Sequence, residues 1–164
     1  MRTNIRMLFA AGLAFFFIAC ATTVQAPYKQ DAITLHLKSS NELNLYNGKA
    51  HTLLLCVYQL KDPNAFNQLL DERDGLSRLL ECRRFDPSVT GSRRLIINPG
   101  REITRSLDRA EGTKYVGVAA GYYEMEPESM VRLYRIPVNM FTKTLRELKI
   151  GLFLGPHEIQ GLEE

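Results

Sequence analysis

Short runs of apolar residues, separated by turn-forming residues, follow one another along most of this 164-residue sequence. In residues 33–37 apolar and polar side chains alternate strictly, which is typical of a β-strand with one buried face. Residues 52–60 are apolar on both faces, and their length and flanking turn residues favour a central strand over a buried helix. Five further runs are strand candidates: residues 93–98, 102–107, 114–123, 130–137 and 149–154. Seven short strands with few helices predict a mainly β protein, a β-sandwich.

The spacing of apolar residues changes from two to three or four after the second predicted strand. Asp62 and Pro63 have the composition of a helix start, and apolar residues at helical spacing follow them. A break at Asp74 and Gly75 separates a second short helix from the first. We therefore expect one domain at residues 32–164 with a helical insertion at about residues 64–81.

The N-terminus has the composition of a bacterial export signal. Arg2 and Arg6 precede an uncharged apolar run that is too short to span a bilayer and has the length of a signal-peptide core. The end of this run, with Ala19 directly before Cys20, resembles the lipobox of bacterial lipoproteins, where cleavage before the cysteine accompanies its acylation. We predict a signal peptide at residues 1–19, lipidation of Cys20, and a flexible tether at residues 20–31.

Two alternatives to the lipoprotein prediction stay open. Cys20 could be an ordinary core cysteine, or cleavage could follow Ala26, although the proline at position 27 disfavours that cut. In lipoprotein sorting an aspartate after the cysteine retains the protein in the inner membrane. Because Ala21 stands there, we expect the outer membrane, with the domain facing the periplasm.

Charge and motifs exclude several classes of function. The formal charge of +3 falls to +1 when the leader and its two arginines are removed, which is too little for a nucleic-acid-binding face. His36, His51 and His157 share no metal-ligand spacing, and no P-loop or Gly-x-Ser-x-Gly motif occurs. The alternating Glu124, Glu126 and Glu128 are interpreted as a solvated turn rather than a calcium loop. We expect no catalytic residue, metal, cofactor or small-molecule substrate.

Two cysteines, Cys56 and Cys82, lie beyond the predicted tether. An even pair in an oxidising compartment indicates a possible disulfide. Two separate buried thiols are the alternative, because the sequence does not show whether the two Cβ atoms meet.

A tethered domain without catalytic motifs indicates a binding or assembly role, for which the loops of a sandwich are the usual place. The connection after the first strand is turn-rich yet carries apolar residues, and tyrosine is enriched at protein interfaces. Leu43 and Leu45 could instead continue the first strand and pack inward. The candidate partner-binding residues are Asn41, Leu43, Asn44, Leu45, Tyr46, Asn47 and Gly48.

Three segments after the lipobox resemble the TssJ outer-membrane lipoproteins of the type VI secretion system: VYQLKDPNAF at 57–66, PGRE at 99–102 and KYVGVAAGYY at 114–123. The resemblance spans about residues 33–137. It implies a transthyretin-like β-sandwich with a helical insertion after the second strand. Its implied contact loop is residues 40–51, in which Leu45 stands where the family often has proline.

The same resemblance implies a non-enzymatic role: anchoring the membrane complex by binding the periplasmic C-terminal region of TssM, with TssL in the same complex. The acylated Cys20 would bind outer-membrane lipid. The alternatives are another periplasm-facing lipoprotein, such as a pilotin or assembly chaperone, and a small periplasmic hydrolase.

Overall fold

The computed structural model describes residues 24–124 and 126–162. The predicted signal peptide and Cys20 lie outside the described residues. Within them, eight strands form two four-stranded sheets, with three short helices between strands. The strands are β1 (Lys29–Ser39), β2 (Leu53–Leu60), β3 (Val89–Ile97), β4 (Glu102–Arg109), β5 (Tyr115–Ala120), β6 (Val131–Arg135), β7 (Leu148–Leu154) and β8 (Ile159–Gly161), and the helices are α1 (Asn64–Asp71), α2 (Gly75–Leu79) and α3 (Pro127–Met130).

The first sheet has the strand order β4-β1-β7-β8, in which β1 lies between β4 and β7. The pair β1–β4 is antiparallel, whereas β1 and β7 run parallel. Ile33, Leu35 and Leu37 are fully buried, as the alternation in the sequence predicts. His36 faces outward and contacts Thr104 on β4.

The second sheet has the order β3-β2-β5-β6 and is antiparallel throughout. β2 is apolar on both faces because the first sheet covers one face and the helical insertion covers the other. Gln59 reaches across to the first sheet and donates to the backbone oxygen of Asp108 at 2.8 Å. Tyr58 points the other way and packs edge-on against Phe66 of α1, with 5.9 Å between ring centroids. The prediction of a central strand is confirmed.

The helical insertion lies on the outer face of the second sheet, where α1 and α2 fall inside the predicted segment. Asp62 begins it by accepting the backbone N–H of Asn64 at 3.1 Å. Phe66 lies so close to Gly117 of β5 that a Cβ there would be 2.7 Å from its ring. The mainly β class with a helical insertion after β2 is therefore confirmed.

Three details differ from the sequence predictions. β1 begins at Lys29, inside the segment predicted as flexible tether, because its backbone pairs with Arg109 of β4. Met130, predicted as the start of a strand, ends the short helix α3. The strand β8 was not predicted, since three residues without an apolar pattern give no strand signal.

Strand directions place the connections at two opposite ends of the sandwich. The β1–β2 loop, the β5–β6 connection and the β7–β8 turn share one end, because β1, β5 and β7 end there. We call it the distal end. The N-terminal chain, the β4–β5 loop and the β6–β7 loop share the other, which we call the proximal end.

Candidate partner-binding site

The β1–β2 loop carries a rigid hairpin at its tip. Tyr46 and Lys49 exchange two backbone hydrogen bonds, of 2.9 and 3.0 Å. Between them, Asn47 and Gly48 have positive φ angles of 49° and 69°. This is the Asn-Gly pair that a two-residue type I′ turn favours. The tip therefore holds a defined conformation, with Asn47 and Gly48 exposed.

The base of the same loop is part of the core. Leu43 is fully buried, and its carbonyl accepts the backbone N–H of His51 at 2.9 Å. Leu45 is half-buried. The prediction that Leu43 contacts a partner is therefore corrected: it packs inward, although β1 has already ended at Ser39. The physical reason is that this turn folds back over the open end of the sandwich.

Asn44 is also buried, and its amide joins two loops. Its Nδ2 donates to the carbonyl of Thr52 at 3.0 Å, and its Oδ1 accepts the backbone N–H of Tyr123 at 3.0 Å. Its φ of 49° lies in the left-handed region, which asparagine tolerates better than most residues. Asn44 was predicted as a contact residue, but its burial makes it a positioning residue.

Three rings meet beside the hairpin in what we call the tyrosine patch: Tyr46, Tyr123 and His51. Tyr46 and Tyr123 stack with centroids 4.3 Å apart and planes 16° from parallel. His51 meets Tyr123 edge-on at 5.1 Å. Both tyrosines stay about half exposed, at 48% and 51%. The sequence analysis singled out Tyr46 alone, because nothing in the sequence shows that the β5–β6 connection reaches this loop.

Charged residues of both signs adjoin the patch, and the exposed Lys49 pairs through its backbone with Tyr46. Glu124 follows Tyr123 directly and lies 3.5 Å from Nδ1 of His157. Tyr122, on the opposite side of the backbone, is buried and donates its hydroxyl to the carbonyl of Glu158 at 2.8 Å. Burial raises the pKa of Tyr122, so its phenol stays a neutral hydrogen-bond donor at physiological pH. The patch thus combines exposed aromatic area with charged groups of both signs at its edge.

Asn41 completes the predicted set at the distal end. It is exposed, and its side-chain oxygen occupies the space that a Cβ of Gly100 would need, 2.4 Å away. Gly100 has a positive φ of 65°, in the left-handed region that glycine adopts readily.

Cys56 and Cys82 are joined by a disulfide that ties the end of the helical insertion to β2. Among the residues that the structure describes, no group of three or more His, Cys, Asp or Glu side chains could hold a metal ion. In the same residues no helix is long and apolar enough to cross a membrane.

Solved structures with the same architecture come from the type VI secretion system. The lipoprotein TssJ1 from Pseudomonas aeruginosa matches 85% of this chain and 97% of its own, with a TM-score of 0.61 and 18% identity. Serratia marcescens Lip, a membrane-bound component of that system, matches 80% of this chain and 97% of its own, with a TM-score of 0.60 and 15% identity. A chain in the structure described as the TssM C-terminal domain (869-1107) from EAEC matches 80% of this chain and 98% of its own, with a TM-score of 0.62 and 14% identity. No curated protein matches this sequence significantly.

The shared architecture defines the class: a two-sheet sandwich with the fold of type VI secretion lipoproteins. The family model described as type VI secretion lipoprotein, VasD, EvfM, TssJ, VC_A0113 matches residues 31–153. The chain therefore belongs to this T6SS-SciN family, which confirms the resemblance to TssJ. It is a membrane-associated structural component of the secretion system and not an enzyme.

Proposed function

We propose that this lipoprotein holds the type VI secretion membrane complex to the outer membrane, with its domain in the periplasm. Acylated Cys20 is the anchor, and the tyrosine patch binds the periplasmic C-terminal region of TssM. TssL joins the complex through TssM. The observation that carries the proposal is the stacked, half-exposed pair of Tyr46 and Tyr123 at the distal end.

The patch has the physical properties of an interface centre. Tyrosine rings bury a large apolar area at low cost in conformational entropy, and their hydroxyls stay available for hydrogen bonds. Asn44 holds both loops in place, so little further ordering is needed when a partner binds. The half-exposed rings keep their outer surfaces free to be covered.

The position of the patch also suits a partner that approaches from the periplasm. β1 runs through the domain from the anchored side to the β1–β2 loop. Its 11 residues span about 33 Å, so the patch would face away from the membrane.

Comparisons support this choice of partner. A chain of the structure described as a type VI membrane complex matches 85% of this chain and all of its own, with a TM-score of 0.57 and 16% identity. A chain in the TssM C-terminal domain structure has the same fold. These matches support a place beside TssM for this chain.

The direct test is binding of the purified TssM periplasmic region to a Tyr46→Ser, Tyr123→Ser double variant. Loss of two central aromatic contacts costs about 2 kcal/mol or more, which is at least about a 30-fold rise in Kd. Phe141→Ser is the matched control, since Phe141 is an exposed aromatic residue at the proximal end. Unchanged affinity of the double variant, with a cooperative thermal transition, would remove this site assignment.

Point variants are sharper than deletion of residues 41–49. A deletion would also remove the fully buried Leu43 and the two hydrogen bonds of Asn44. Loss of binding could then follow from unfolding alone.

A further inference from the structure

The loop between β6 and β7 presents two large apolar side chains to solvent. Met140 is 79% exposed and Phe141 is 97% exposed. Neither is covered by the domain, although a soluble domain normally buries such side chains or keeps them at a partner surface. These two residues, which we call the apolar tip, are unused by the proposed contact with TssM.

Hydrogen bonds build this loop into a fixed shape. The backbone N–H of Asn139 donates to the carbonyl of Thr144 at 2.8 Å, and that of Lys143 donates to the carbonyl of Asn139 at 2.9 Å. The Asn139 side chain accepts the backbone N–H of Phe141 at 2.9 Å. Because the backbone groups are paired within the loop, the apolar tip is held outward.

The N-terminal chain lies directly beside the loop. Gln25 forms a parallel bridge with Thr144. Arg109, which is buried, donates to the carbonyls of both Pro27 and Arg146, each at 3.2 Å. One guanidinium therefore ties the chain that leads to Cys20 to the segment that carries the apolar tip.

The length of the N-terminal chain limits how far the loop can be from a bilayer. Five residue steps separate Gln25 from Cys20, which span at most about 18 Å when fully extended. The loop also has the charge expected beside anionic headgroups. Lys143 and Arg146 are exposed, and the one acidic residue of the loop, Glu147, is paired with Lys29 of β1 at 2.9 Å, which leaves the loop with a net positive charge.

We infer that Met140 and Phe141 insert into the phospholipid bilayer in which Cys20 is anchored. The inference rests on the lipid anchor of the proposed function. Apolar side chains at an interface add to membrane binding by the area that they bury, and nearby cations add attraction to anionic lipid. The acyl chains alone leave the domain free to rotate on its tether. A second contact at the proximal end fixes the domain upright, with the tyrosine patch pointing away from the membrane.

The test uses the absence of tryptophan from this sequence. Phe141→Trp places a single fluorophore at the apolar tip of the full acylated protein, reconstituted into vesicles of phosphatidylethanolamine and phosphatidylglycerol. We expect its emission to shift to shorter wavelength and to fall several-fold when the lipids carry brominated acyl chains. Tyr46→Trp, at the distal end, is the matched control and keeps its emission.

Each other result has a defined meaning. If the acylated protein floats with vesicles and Trp at position 141 is not quenched, the inference is wrong, while the anchor stands. If it does not float, the anchor and the inference both fail. A blue shift that needs no vesicles and grows with protein concentration would show that a second copy covers the apolar tip instead.

Two further measurements keep the result interpretable. Met140→Trp repeats the test at the neighbouring position if Phe141→Trp does not unfold cooperatively, and it carries the same expectation. Binding of the TssM region to Phe141→Trp in solution should be unchanged. Loss of TssM binding with intact quenching would therefore count against the tyrosine patch and not against the apolar tip.

Discussion

The distal and proximal ends of the sandwich present different chemistry although one set of strands builds both. At the distal end, two tyrosine rings stack on each other, and the exposed residues Lys49 and Glu124 adjoin them along the chain. At the proximal end, single apolar side chains protrude among exposed cations such as Lys143. Stacked rings expose a broad surface with polar groups at its edge, which suits a protein partner. Protruding apolar groups flanked by cations suit a lipid surface.

Different side chains stabilise the loops at the two ends. A neutral amide, that of Asn44, pins the distal loops through two backbone groups. A buried cation, that of Arg109, pins the proximal segments, and desolvation lowers its pKa. Each surface therefore depends on one buried polar side chain behind it. Removing either side chain should disturb one end and leave the other end intact.

Asn44→Ala should have the largest effect. It leaves the carbonyl of Thr52 and the N–H of Tyr123 without their partner and puts alanine in the left-handed region. We expect a loss of about 3 kcal/mol in the free energy of unfolding, measured by urea denaturation, and weaker TssM binding. Asn44→Asp keeps the acceptor for Tyr123 but puts a buried carboxylate oxygen against the carbonyl of Thr52, so we expect it to recover none of the lost stability. Equal stability of Asn44→Ala and the wild type would show that the amide does not pin these loops.

Arg109→Met should have a smaller effect at the other end. Two carbonyls lose their donor, at a cost of about 2 kcal/mol, and the apolar methionine partly offsets the loss by filling the same space. Hydrogen exchange should speed up at residues 24–28, with TssM binding unchanged. Arg105→Met, at an exposed position of the same strand, is the control and should change neither quantity. Faster exchange at Tyr123 would contradict the independence of the two ends.

Gly48→Ala should have the smallest effect and isolates backbone strain. No atom lies within 4 Å of the Cβ position, so the positive φ of 69° is the source of strain. We expect a loss of about 1 kcal/mol in the free energy of unfolding. Gly161→Ala is the control, because its Cβ is equally free and its φ is not in the left-handed range. Equal effects of the two substitutions would mean that the hairpin tip is not held in its turn.

Much of the fold could be predicted because the spacing of apolar residues follows directly from which faces of each strand are buried. Apolar and polar residues alternate around Leu35 because β1 has one buried face. The apolar run through Val57 is continuous because both faces of β2 are buried. The helical insertion was predicted by a change of period. The strand β8 and the first residues of β1 could not be predicted, because polar residues such as Gln30 join a sheet when an unpaired neighbouring strand is available.

The candidate site could be predicted only in part. Tyr46 was identified from residue type, whereas Leu43 and Asn44 were named as contact residues and are buried, Leu43 in agreement with the alternative that it packs inward. Tyr123 was missed as a site residue. Loop residues have no periodicity that reports burial, so their environment depends on which other connection lies over them.

The sequence by itself determined most of the strands, the helical insertion and the family, because each depends on local spacing or composition. Only the tertiary structure decided which residues form the two surfaces. Tyr46 and Tyr123 are 77 positions apart, and Gln25 and Thr144 are 119 apart. Strand pairing brings these distant segments together at one end of the sandwich. No local sequence pattern predicts this proximity, because it depends on the arrangement of all the strands.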